Sequence, residues 1–223
     1  MIKNISKSHL GLVVVLGSVW GLSEAVLGMG LRSCAAFVSG SLMTGAALFF
    51  LAAGWMISRR VVGIVVMVLI ASAFKMFDAL LLSLPLSHGA IGNPIFAFFM
   101  EAAAFVILIS LIRQKMTEKP AGQAIMGGLT AVLAVNLFPL VKYATGVPAC
   151  VVAGTTYPLS LYYLHVAVLA SMVTVPLGFW LGSKARSFES RMLNLRAKSK
   201  LDLVISPAIL ILCLAILAVL RFV

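Results

Sequence analysis

Glu24, Lys75, Asp78 and Glu101 each interrupt a run of apolar residues long enough to cross a lipid bilayer. A charge at bilayer depth is costly, and such residues face a cavity, a partner or a ligand. Lys75 and Asp78 stand three apart on one helical face, so they can neutralise each other, alone or as part of a larger site. Glu24 and Glu101 have no such neighbour. The residues one turn either side of Glu101 are Ala97, Phe98, Ala104 and Phe105. Each of these two carboxylates must therefore meet a cation from another helix, a ligand or a proton. Trp20, one turn before Glu24, either walls a pocket or fills the core.

At a rise of about 1.5 Å per residue, Glu24 and Lys75 lie roughly 21–23 Å along their helices, Asp78 about 25 Å and Glu101 about 19 Å. Asn136 reaches a similar level, His165 lies slightly nearer the far end, and Lys142 sits at its rim. These residues share one half of the membrane and are the candidate substrate-binding set. Carboxylates, a lysine and a histidine could perform acid–base chemistry or hold a cationic or zwitterionic solute. No HExxH, GxSxG, phosphate loop or paired-cysteine spacing is present. His88, Cys34 and Cys150 lack ligand spacing for a metal. The expectation is a binding protein, not an enzyme, with no cofactor and no metal.

The elements that must position these groups follow from composition. The chain of 223 residues is 62 % hydrophobic and only 10 % charged, with a mean hydropathy of +1.15. That excludes a soluble globular surface. Seven apolar stretches, 9–29, 36–57, 61–84, 94–112, 122–143, 159–182 and 203–221, match the roughly 20 residues that cross a bilayer. The expected fold is all-α, a single polytopic transmembrane bundle over 1–223 with its N-terminus cytoplasmic and its C-terminus outside. The first stretch is too long for a cleaved signal and carries Glu24. With this topology 13 of the 17 basic residues fall on the inner side, so the net charge of +11 reports orientation and not a nucleic-acid partner. Phe188, Met192 and Leu195, set among basic residues in the 183–202 connector, predict an amphipathic segment lying on the inner leaflet.

Gly17, Gly21 and Ala25 recur every four residues, a smooth stripe that serves packing within the bundle or docking of a separate membrane subunit. Asn93-Pro94 reads as the start of the fourth helix. Pro139 predicts a kink near the end of the fifth. Cys34 and Cys150 fall on the same side of the membrane, where they either form a disulfide or stay free.

The short loops, the small-residue stripe and the polar cluster together resemble the substrate-binding S component of energy-coupling factor uptake transporters. The stripe Gly17, Gly21 and Ala25 is similar in size and spacing to that family's docking motif. NPIFAFFMEAAAF at 93–105 resembles its carboxylate-presenting helices. The resemblance, over residues 8–183, implies capture of a vitamin- or metal-like solute from outside, with a transmembrane coupling subunit and two ATPases as partners. It implies six helices, whereas seven are read here. A stand-alone proton- or ion-coupled carrier, a membrane-embedded enzyme acting on a lipid and an assembly subunit are the other readings. All of them place the chain in a cell inner membrane.

Overall fold

A computed structural model describes residues 7–34, 38–112, 117–146, 149–152, 154–193 and 198–222, with side chains at 7–8, 30–34, 189–193 and 198–204 outside that description. Nine α-helices are defined among the described residues: α1 Lys7–Cys34, α2 Ser39–Ser58, α3 Val61–Leu81, α4 Gly89–Leu111, α5 Pro120–Leu137, α6 Val141–Thr145, α7 Leu159–Tyr162, α8 Leu164–Leu193 and α9 Lys198–Phe222. Seven apolar segments are long enough to cross a membrane: His9–Met29, Ser39–Ser58, Val61–Leu81, Gly89–Leu111, Pro120–Thr145, Leu164–Phe188 and Ile205–Phe222. Leucine, valine and alanine on all sides explain the helices, because in lipid a backbone must satisfy its own hydrogen bonds.

Helix α2 is the hub. It packs on α8 most extensively and also touches α1, α3 and α4. The α2–α8 contact is close because small residues line it. A Cβ on Gly45 would come within 2.9 Å of the Ala170 methyl, and one on Gly178 would strike the Phe49 carbonyl. Two hydrogen bonds stitch the pair: Thr174 Oγ1 donates to the Gly45 carbonyl at 2.7 Å, and Ser41 Oγ to the Tyr163 carbonyl at 3.0 Å. Helix α9 stands apart from the hub and lies on α1, with a smaller contact to α3.

Three expectations change or narrow. The Gly17–Gly21–Ala25 stripe is filled from within the chain. Ile70 of α3 covers Gly17, and Phe74 sits so close to Gly21 that a Cβ there would lie 2.6 Å from its ring. Ala25 is buried with Phe74, Cys213 and Leu217, between α3 and α9. The stripe is packing surface, not an open docking face. Helix α4 begins at Gly89, because His88 Nδ1 accepts from the Ala90 amide at 3.2 Å and caps it. Asn93 is therefore not the cap, and Pro94 lies inside the helix. Finally, the 183–202 connector is largely helix: α8 continues to Leu193 and α9 begins at Lys198. Leu195 lies outside the described residues, as does the side chain of Met192.

The expected break near Pro139 is present as a single 3-10 turn, Phe138–Leu140, between α5 and α6. Beyond α6 the chain makes a small hairpin-like turn. The Val152 amide donates to the Tyr157 carbonyl at 2.9 Å and the Leu159 amide to the Cys150 carbonyl at 2.8 Å. This turn brings Cys150 and Ser160 together at one end of the bundle.

Candidate functional site

A cavity of about 540 Å³ lies at that end. Helix α1 gives it Glu24, α2 gives Ser41, Met43 and Thr44, and α4 gives Asn93, Ala97, Met100 and Glu101. Val135 and Phe138 close one side, and Cys150 and Ser160 come from the turn region. Residues 93, 97, 100 and 101 share one face of α4, so a single helix carries the wall from rim to floor. The lining is mostly apolar, interrupted by a few polar groups, as in small-molecule sites generally.

What distinguishes this cavity is its unanswered hydrogen-bonding capacity. Glu24 and Glu101 are 4 % and 5 % exposed, and the Oε2 atom of each has no hydrogen-bond partner. Asn93 Oδ1 and Ser160 Oγ, both also in the lining, are likewise buried and unpartnered. Native proteins satisfy nearly all buried polar atoms, so four exceptions around one hollow need a cause. Part of the demand is met: Thr44 hydrogen-bonds Glu101, and the positive charge of Lys75 reaches Glu24.

Lys75 and Asp78 lie outside the lining. Lys75 Nζ stands 3.7 Å from Asp78 Oδ2. Asp78 also receives a bidentate grip from Arg221 of α9, Nε to Oδ1 at 2.6 Å and Nη2 to Oδ2 at 2.8 Å. The expected Lys75–Asp78 pair exists, but it belongs to a three-residue cluster that fastens α9 to α3. Arg221 is the member absent from the expected set. Its signal was available: an arginine ending an otherwise apolar helix is positioned to reach inward.

The other expected residues do not reach the cavity. Trp20 is fully buried in the core, stacked on Phe50 at 6.4 Å between ring centroids and tilted against Phe98 at 5.1 Å. Asn136 faces outward and donates to its own helix, at the Val132 carbonyl. Lys142 is exposed over the Tyr143 ring, and His165 is exposed on α8. Cys150 is a free, exposed thiol, whereas the side chain of Cys34 lies outside the described residues. Missed from sequence were Thr44, Met43, Met100, Asn93 and Ser160 as lining groups.

A second cavity, about 640 Å³, lies at the opposite end among Arg59, Thr117, Glu118, Gln123, Pro176 and Trp180. There Gln123 Nε2 donates to the Thr117 carbonyl at 2.8 Å, and no unpartnered buried side-chain atom lies in the described lining. Burial, and then the nearby Arg186, hold the Arg59 guanidinium below its usual proton affinity, and Glu118 opposes both.

The fold defines a multi-pass helical membrane protein. No protein-family model, curated protein or solved structure matches the chain.

Proposed function

We propose that this protein binds a small cationic or zwitterionic solute from the outer side of a cell inner membrane, for uptake. The observation that carries the reading is the pair of buried carboxylates, Glu24 and Glu101, each with an unpartnered oxygen on one cavity. Two acids without a lining cation among the described residues favour a positively charged guest. The bulk of the lysines and arginines belong to connections at the other end of the bundle, which by the positive-inside rule supports an external cavity end. A binding role requires nothing further of these residues, whereas catalysis would need a nucleophile or acid–base pair held in reacting geometry.

Within this reading the chain serves as the substrate-binding subunit of an ATP-driven importer, or it carries the solute alone. Because the small-residue stripe of α1 is filled by α3, a coupling subunit would have to dock elsewhere. Native mass spectrometry of the gently extracted protein tests the core of the proposal. A small-molecule adduct is expected, and it should disappear in Glu24→Gln and Glu101→Gln. Vesicles holding the purified chain alone separate the two modes: uptake without ATP indicates a carrier, and uptake only with partner subunits an importer. A protein that retains no solute, and whose deletion alters no cellular uptake, would overturn the proposal.

A further inference from the structure

Four residues of the cavity lining each carry a buried atom without a hydrogen bond: Glu24 Oε2, Glu101 Oε2, Asn93 Oδ1 and Ser160 Oγ. Three are acceptors and the fourth, a hydroxyl, accepts as readily as it donates. A guest that satisfies them must bring donors. The carboxylates and the neutral pair also sit at different depths. Asn93 and Glu101 are eight residues apart on α4, about 12 Å along its axis, with Ala97 and Met100 between them. The stretch between the two polar ends is apolar, bounded by Met43, Met100 and Phe138.

Charge narrows the guest further. Among the described residues, the buried cluster around the cavity floor holds three acids, Glu24, Asp78 and Glu101, and two bases, Lys75 and Arg221. Asp78 is fully engaged by its two cations, and Lys75 lies between Asp78 and Glu24. Among the described residues Glu101 is the carboxylate with no base recorded beside it, so one positive charge completes this set. No lysine, arginine or histidine appears in the described lining to receive a ligand carboxylate, which argues against a zwitterion or an anion. A divalent metal fits poorly as well, since no group of three or more ligating side chains occurs among the described residues.

Resting on the uptake reading above, we infer that the guest is an organic monocation: an ammonium-type head held by Glu101 and Glu24, an apolar middle, and a second N–H or O–H donor that meets Asn93 and Ser160. The flexible methionines at the waist suit an aryl or alkyl body whose shape the cavity need not match in advance.

A matched set of phenyl probes tests this on the full chain in nanodiscs. Tyramine carries both donors, phenethylamine only the ammonium, 4-hydroxyphenethyl alcohol only the neutral groups, and tyrosine adds a carboxylate. Tyramine is expected to bind most tightly, and phenethylamine about three- to tenfold more weakly, the worth of one neutral hydrogen bond. The alcohol and tyrosine should fall below tyramine by about 30-fold or more, since each leaves a buried charge unpaired. Glu101→Gln should lose tyramine binding by a similar factor. Asn93→Leu and Ser160→Ala should erase only the advantage of tyramine over phenethylamine. Bound tyramine should also slow maleimide labelling of Cys150 in the unmodified protein, a readout independent of how the variants fold. Equal binding of the neutral alcohol, a preference for tyrosine, or no binding of either amine overturns the inference. A co-purifying zwitterionic solute that is taken up would refute this ligand class while leaving the uptake proposal standing. Amine binding without any uptake would do the reverse.

Discussion

Two neighbouring groups of buried charge in this protein have opposite constructions. Around Asp78 every partner is supplied: a bidentate arginine and a lysine surround one carboxylate, and the three together join α3 to α9. Around the cavity the acids outnumber their partners, and Glu24 and Glu101, both in its lining, each keep one buried oxygen without a hydrogen bond. The first arrangement does structural work and needs nothing from outside. The second is incomplete by itself, and the proposed guest would complete it. Burial and charge, the features that drew attention to all four residues, do not separate the two groups. The completeness of the hydrogen bonding does.

That contrast predicts opposite responses to neutralisation. The largest effect belongs to the closed cluster. Asp78→Ala leaves Lys75 and Arg221 buried without their anion and should destabilise the protein by about 3–5 kcal/mol, read as a lowered midpoint of unfolding in detergent. Replacing Asp78 and Arg221 together by leucine should restore much of that loss, since the charges vanish as a pair. Next comes the packing beside it. Gly21→Ala forces a methyl into the Phe74 ring and should cost about 1–3 kcal/mol. If Gly21 instead served an external subunit, isolated stability would not move and only partner co-purification would fall.

The cavity acids should behave differently. Glu24→Gln and Glu101→Gln remove a buried charge, and unfolding of the ligand-free protein should be unchanged or displaced upward by about 0–2 kcal/mol while ligand binding is lost. Destabilisation as severe as that of Asp78→Ala would erase the distinction between the two regions. The smallest effects are expected at Asn136, Lys142 and His165. Alanine at each should alter stability by no more than about 0.5 kcal/mol and leave binding intact, as measured by the same midpoint and by titration.

The fold was largely legible because lipid imposes one rule, an apolar run of about 20 residues per crossing, and hydropathy reads that rule directly. Boundaries shifted where local chemistry intervened, as when the His88 ring began α4 ahead of Asn93. Glu24 and Glu101 were legible as cavity-lining residues because a lone charge in an apolar run tends to face a hollow or a partner. Depth along a helix was a good guide to level but gave no azimuth, and this misled for His165 and Asn136. The inward face of α8 is marked by Ala167, Ser171, Val175, Gly178 and Gly182. His165 lies about 200° around the helix from Ala167 and so points away. The hydrogen bond of Asn136 to its own backbone similarly marks an outward residue. The pairing of Arg221 was not legible because its partner is 143 positions away in the chain, a distance that only the docking of α9 on α1 and α3 closes.

The tie between Arg221 and Asp78 also bears on how the protein is made. Synthesis runs from the N-terminus, so α3 enters the bilayer long before α9 leaves the ribosome. Until then Asp78 has Lys75 but not the guanidinium that grips both its oxygens. A nascent bundle interrupted before residue 221 would hold an under-neutralised acid in lipid, a recognisable defect for quality-control proteases. Arrival of α9 thus completes the neutralisation of Asp78.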